Sequence, residues 1–482
     1  MGEQPHCPGL CVPPSCVAGL SLAVTGTDPG EGARKVSMSS AILHTAASSA
    51  LDSFLASLAP RRADRCTVVA APLPPELVRA ITQGGLPALR RASVVSWEHA
   101  ASGTRLFGIG VAGRWYGPRS EGIEEARVAL SGISFEAAGE ILPAARPRLF
   151  GGLAFERAPA NPDPAWEPFG GWQFILPRVI VAEVADGEFA ATACVASGAT
   201  VREPAAALAD HARGGLDAVG WQRAVASART ELETGAYRKT VLARQKRVSL
   251  PGFTPEPAVS ELASRYPGCF VWHFDVPGAT WVGASPERLV ATAAGCARAD
   301  SLAASCRRGA SPAEDAVLAE GLLADPKERL EHAVVVEAIT SGLQPFAESI
   351  ECPPGPRIMK LANIQHLHTP VTARLKPGVH VLDLVGAMHP TPAVGGWPRQ
   401  PALDAIRRLE RMDRGWYAAP FGWVDFAGEG EFAVGLRTAR VVGDDATLFA
   451  GCGIVADSDP EREVAETELK FRPLAEALQA GR

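Results

Sequence analysis

The sequence predicts a mixed helix-and-strand protein folded as one compact unit of two halves, and three observations predict it. Helical Ala/Leu/Arg stretches alternate with short β-branched runs along the chain. A Gly/Ala/Arg segment around Ala205 to Asp217 marks the middle, but no Pro/Ser linker separates the halves. A chain of 482 residues, 47% hydrophobic and 21% charged, can bury a sizeable core in one large or two ordinary domains.

Composition also excludes partners. The net charge is -6 and Lys and Arg form no basic stripe, which argues against nucleic acid. Apolar runs are too short or interrupted to span a bilayer, so no membrane association is expected. An anionic small molecule would need locally placed cations or a metal. Ten cysteines without a CxxC pair suit reduced thiols in a cytoplasmic enzyme. His6, Cys7, Cys11 and Cys16 cluster near the start, but no second ligand group follows to complete a zinc site. Residues 1–37 read as a disordered leader without a secretory pattern, with Met38 an alternative start.

In the first half, 38–217, Ser48 to Leu58 reads as helix, and Thr67 to Ala70 and Arg178 to Ala182 as strands. Phe150 to Phe155 and Trp172 to Arg178 read as strands meeting where glycine permits close approach. In the second half, 218–482, Val241 to Ala243 and Phe270 to Phe274 have strand character. Trp281 to Val290 runs through a Ser-Pro-Glu turn. Asp325-Pro326 is a helix start, with Asp as N-cap and Pro at the first helical position.

Polar residues that could carry chemistry concentrate in this second half. Glu463, Glu466 and Lys470 are spaced i, i+3, i+7. On a helix starting at Asp457 to Pro460 they share one face, beside the glycine-rich run of Gly451 and Gly453, expected as a loop of free N–H groups. Taken alone this is a salt-bridged surface; beside such a loop, two carboxylates suggest a divalent metal holding an anion. Glu331 falls inside an apolar helix, where a carboxylate is costly unless paired or metal-bound. With Glu463 and Glu466 it offers hard oxygen ligands suited to magnesium. Lys239 precedes an apolar strand; at a site holding Arg and a metal it would serve as a general base. Glu287 sits in a tight turn, with a surface ion pair to Arg288 as the alternative. His366 is a further candidate, whereas His368 and His389 read as structural. Arg437, on an alternating strand, could meet a carboxylate bidentately.

In order, these segments resemble the chorismate-utilising enzymes, and among them the isochorismate synthases. The resemblance runs from about Trp221 to the C-terminus through Lys-Thr-Val-Leu-Ala-Arg, Gly-Ala-Ser-Pro-Glu, Lys-Glu-Arg-Leu-Glu-His, Gln-His-Leu-His-Thr, His-Pro-Thr-Pro-Ala-Val-Gly-Gly, Ala-Gly-Cys-Gly-Ile-Val and Glu-Arg-Glu-Val-Ala-Glu-Thr-Glu-Leu-Lys. It implies an α+β fold whose two subdomains carry large antiparallel sheets packed as a sandwich with helices outside. The first half is then the family's variable part and 218–482 its chorismate-binding region.

The resemblance further implies that Lys239 activates water for attack at C2 of chorismate while Glu287 protonates the departing C4 hydroxyl, giving isochorismate. Magnesium ligands map to Glu331 and Glu466, with Glu463 close by. Arg437, Lys470 and the N–H groups around Gly451 and Gly453 map to carboxylate binding. His366 and Ser305 lie near the ring, and Ala393, Val394, Tyr417, Leu436 and Phe449 form the walls. A monomer in menaquinone or siderophore synthesis is implied.

Pro-Thr-Pro-Ala-Val, where ammonia-using relatives carry Pro-Ala-Gly-Thr, favours water as nucleophile. Apolar Ala393 and Leu436 favour stopping at isochorismate over eliminating pyruvate as a salicylate synthase does. Ala304 stands in the family's Leu-Ala-Gly loop in place of glycine; if that position needs positive φ, alanine costs on the order of 1 kcal/mol. Tyr417-Ala418-Ala419 departs similarly. A catalytically degenerate chorismate-binding protein is the non-enzymatic alternative.

Overall fold

The computed structural model describes residues 48–58, 66–197, 215–361 and 364–480. The expected leader, the cluster of His6 with Cys7, Cys11 and Cys16, and most of the Ala205 to Asp217 segment lie outside the described residues.

Hydrogen bonding between strands branches at one long strand, Trp172–Ala185. One edge of it pairs along most of its length with Thr104–Gly117. The other edge is shared: Arg148–Leu153 takes the start, with Phe150 opposite Ile175, and Glu188–Ser197 takes the end, with Val179 opposite Ala193. Two antiparallel arms grow from this branch. The first runs from Thr104–Gly117 through Val95–His99, Phe270–Val276, Ala279–Ser285, Thr438–Val442 and Asp445–Ile454 to Lys239–Ser249. The second runs from Arg148–Leu153 through Pro420–Asp425, Gly430–Val434, Arg288–Ala293 and Cys296–Arg307 to Ile364–Leu375. The expected antiparallel sandwich is therefore two arms of one branching sheet. Both halves of the chain contribute to each arm.

Period-2 alternation decides what each face buries. In the first arm Trp272, Phe274, Trp281 and Phe449 point inward, while Val271, Val282 and Leu448 point outward under Pro255–Arg265 and Pro460–Gln479. The arms meet through aromatic rings: Phe421 lies 5.9 Å from Trp97, 5.2 Å from Trp272 and 5.5 Å from Phe274. Such contacts add to the burial of the largest side chains. The second arm is covered by Pro326–Leu343 and Val381–Met388.

The strand runs read separately as Trp172 to Arg178 and Arg178 to Ala182 are one strand, Trp172–Ala185, which continues through Pro177. Proline removes a ladder donor, and here it sits opposite Val111 where the partner strand bulges between Val111 and Gly113. Glycine does permit the close approach: a Cβ on Gly151 would sit 1.9 Å from the Gln173 carbonyl oxygen. The helix start at Asp325 is capped, its carboxylate accepting from the Lys327 and Glu328 amides at 2.8 and 3.3 Å.

Candidate active site

Strands of both arms and the helices Pro326–Leu343 and Pro460–Gln479 line a cavity of about 430 Å³, in the range of small-molecule sites. Lys239 opens strand Lys239–Ser249 and is only 7% exposed. Its ammonium meets Glu331 Oε1 at 2.5 Å. Across the ladder, Gly453 lies opposite Val241, and a Cβ there would come within 2.9 Å of Lys239 Cε. Glycine therefore makes room for the lysine to turn into the cavity. The neighbour of Lys239 is thus a carboxylate rather than the expected cation.

Glu287 lies between strands Ala279–Ser285 and Arg288–Ala293, with its backbone carbonyl accepting from the Val434 amide at 3.0 Å. The side chain is buried, and burial raises its pKa to about 8, with Lys239 opposing and Asp300 reinforcing the rise. The ion pair with Arg288 considered from the sequence does not form. That guanidinium bonds instead to Asp300 at 2.6 Å and Glu431 at 3.0 Å.

His366 stands on Ile364–Leu375 opposite Ser305. Burial, Arg437 and Lys470 together hold its pKa down near 3, and a ring nitrogen bonds to the Ala304 carbonyl. Its Nε2 is buried without a hydrogen-bond partner, which leaves that nitrogen available to a ligand. His368 bonds to Asp300, and His389 to the Phe155 carbonyl; neither lines the cavity.

The segment with Ala304 is not a loop but a bulge inside strand Cys296–Arg307, at the register shift between Ala303 and Ser305. Ala304 has φ +59°, and Ala418 (+60°) and Arg437 (+49°) share that left-handed conformation around the same cavity. Non-glycine residues there are strained, and such strain clusters at functional sites. Ala304→Gly is expected to stabilise the fold by about 0.5 kcal/mol, strain relief outweighing the extra unfolded-state entropy, as urea unfolding would measure.

Two further sequence expectations are corrected. Arg437 is not on a strand; it lies in the turn between Gly430–Val434 and Thr438–Val442. The Gly451 and Gly453 run is not a loop of free N–H groups, because Asp445–Ile454 is a strand paired with Lys239–Ser249. There the Gly451 carbonyl accepts from Lys470 Nζ at 2.8 Å.

Glu463, Glu466 and Lys470 all face the cavity from helix Pro460–Gln479, which Asp459 caps. Lys470 lies 2.7 Å from Glu466. Ser305, Ala393, Val394, Tyr417, Leu436 and Phe449 also line it, and Tyr417 stacks on Phe449 with ring centres 5.3 Å apart. Among the described residues no three acidic, His or Cys side chains converge closely enough to grip one metal ion. The donor set nevertheless fits a hard cation. Ammonium groups already sit on Glu331 and Glu466, and Glu463 Oε2 is buried without a hydrogen-bond partner.

Arg414 lines the cavity without having stood out in the sequence. It is buried against Glu410 and donates to the Val394 carbonyl at 2.9 Å and the Val241 carbonyl at 2.6 Å, fixing a wall to the Lys239 strand. Its signal is faint because a single arginine in Asp-Arg-Gly-Trp reads as surface. Asp300 and Cys452 give no local signal in the sequence either; Cys452 lines the cavity near Glu463.

Residues 88–479 match the family described as chorismate binding enzyme. The chain is 45% identical over 260 residues to a salicylate biosynthesis isochorismate synthase of Pseudomonas aeruginosa, covering 54% of this chain and 55% of that protein. It is 36% identical over 352 residues to the isochorismate synthase MenF of Bacillus subtilis, covering 69% of this chain and 74% of that protein. The alignments thus span about half of the first relative and three quarters of the second. The structure of the menaquinone-specific isochorismate synthase MenF of Escherichia coli superimposes with a TM-score of 0.71 at 23% identity, over 90% of this chain and 99% of that one. That likeness supports the fold. No described helix is long and apolar enough to cross a membrane.

Proposed function

The chain belongs to the chorismate binding enzyme family, and from that premise we propose that it is a magnesium-dependent isochorismate synthase. The observation that carries this reading is a buried carboxyl, Glu287, that keeps its proton up to about pH 8 in the same cavity as Lys239. Lys239, as the amine, takes a proton from water as the oxygen attacks C2 of chorismate. Glu287 gives its proton to the C4 hydroxyl, which leaves as water while the ring double bond shifts. One water enters and one departs, so substrate and product are isomers.

The substrate carries two carboxylates. Arg437, which has no carboxylate partner among the described residues, is suited to one of them. Arg437→Ala is expected to raise KM for chorismate roughly tenfold to a hundredfold with kcat little changed, as steady-state kinetics would show. His366 Nε2, buried without a hydrogen-bond partner, suits the substrate hydroxyl. Glu331, Glu466 and Glu463 would hold the cation. Bound there, the cation would supply neutralisation of the ring carboxylate, and Glu331 as one of its ligands would no longer serve as the counter-charge of Lys239.

Ala393 and Leu436 line the cavity with apolar side chains, which favours release of isochorismate over a second step that eliminates pyruvate. This reading takes the enzyme as a cytoplasmic monomer; among the described residues no cysteine is in a disulfide. Use of the product in menaquinone or siderophore synthesis is compatible with the same first reaction. The test is incubation with chorismate, with and without magnesium, and chromatography of the products. A magnesium-dependent mixture of chorismate and isochorismate supports the reading; salicylate with pyruvate, or unchanged chorismate, refutes it.

A further inference from the structure

Arg288 follows Glu287 directly in the chain, and the sequence alone leaves an ion pair between them open. Here the guanidinium is drawn away by two acceptors at once. Its NH1 meets Asp300 Oδ2 at 2.6 Å and its Nε meets Glu431 Oε1 at 3.0 Å, with the Phe270 ring centre 5.1 Å beneath. Asp300 stands on the next strand of the hairpin formed by Arg288–Ala293 and Cys296–Arg307. Its other oxygen accepts from His368 Nε2 at 2.8 Å, and His368 Nδ1 in turn accepts from Arg357 at 3.2 Å. Arg298 approaches the same oxygen at 3.7 Å. Asp300 is 7% exposed, so these bonds form largely out of water.

We propose that Asp300 is a positioning residue that keeps Glu287 the acid of the site by holding Arg288 away from it. The proposal rests on the reading of Glu287 as proton donor. The charged and titratable groups about Glu287 are Lys239 from its strand, Asp300 and Arg288 from the hairpin, and Glu331, His366 and Arg437 around the cavity. Lys239 favours the carboxylate form and Asp300 the acid form. Asp300 therefore acts twice: it occupies the guanidinium that would otherwise ionise Glu287, and its own charge opposes a second negative charge nearby. Burial of an unpaired carboxyl does the rest. His368 and Arg357 keep Asp300 from turning toward the cavity.

The test is Asp300→Asn, which removes the charge at nearly constant shape. The basic limb of kcat/KM against pH is expected to move down by about one pH unit or more, with activity on the acidic plateau kept within a few fold. A second readout needs no turnover. The infrared band of the protonated Glu287 carboxyl, identified by its loss in Glu287→Gln, should titrate at lower pH in Asp300→Asn than in the unsubstituted protein. If the protein proves inactive on chorismate, the proposed function fails while the infrared titration still tests Asp300. A fall in activity by the same factor at every pH, with the carboxyl band titrating where it did before, overturns the proposal. Should Asp300→Asn fail to fold, His368→Gln loosens Asp300 without removing its charge; a smaller shift in the same direction supports the proposal and an unmoved carboxyl titration overturns it.

Discussion

Lys239→Gln is expected to lower kcat on chorismate roughly a hundredfold to ten-thousandfold, the usual contribution of a positioned general base. Gln keeps much of the length and can still bond Glu331, whose carboxylate now lies 2.5 Å from the ammonium. KM should change far less, because Arg437 and Lys470 remain to meet the substrate carboxylates. Lys239→Arg separates the two roles the lysine could have. Arginine preserves the charge that faces Glu331 but cannot release a proton near neutral pH. Restored turnover in Lys239→Arg would mean that Lys239 serves only as the counter-charge of Glu331; continued loss is what proton abstraction requires. Gly453 sets a further constraint, since any side chain there meets Lys239 Cε within 2.9 Å.

Glu287→Gln should cost a comparable factor in kcat, because an amide has no acidic proton to give to the departing hydroxyl. The pH dependence follows from its environment. Burial holds the Glu287 carboxyl protonated up to about pH 8, so activity should fall as pH rises through that value. The same shift makes a stability statement. The folded protein keeps this proton up to about 8, whereas the unfolded chain releases it near the ordinary carboxylate value of 4.5. Between those values the folded state binds more protons, so stability falls as pH rises across the window and levels off above it. Thermal unfolding of Glu287→Gln should lack this slope and exceed the parent protein in stability at pH 9. A gain in stability joined to a loss of turnover is the signature of a residue kept for chemistry.

Much of this arrangement is legible in the sequence because the informative residues sit in short, ordered segments. Lys239 before an apolar strand, Glu287 after Ser-Pro, Glu331 in an apolar helix and the Glu463, Glu466, Lys470 spacing all mark positions where a charged group borders buried surface. The structure brings all of them to one cavity. What was not legible depends on tertiary pairing. The Gly451 and Gly453 run looks like a loop by composition, yet glycine is needed there to let Lys239 and Leu242 pass close by in a paired strand. Arg437 alternates with apolar neighbours, but a left-handed turn ends the strand before it. That Trp172 to Arg178 and Arg178 to Ala182 run on as one strand through Pro177 depends on a bulge in the partner strand that accommodates the proline. Arg414 and Asp300 act through groups distant in sequence, Val241 and Val394 in one case and His368 in the other. No local pattern encodes such contacts. Ala304 is the intermediate case: the glycine-like position could be suspected from the sequence, and the φ of +59° shows the strain.

The central claim is that water, activated at Lys239, adds to the ring as Glu287 expels the hydroxyl. It is tested most directly by running the reaction in oxygen-18 water with magnesium and analysing the isochorismate by mass spectrometry at low conversion. The account predicts one labelled oxygen in each isochorismate molecule, carried by its ring hydroxyl. Isochorismate that forms without label would mean that the substrate's own hydroxyl migrates, and would contradict it.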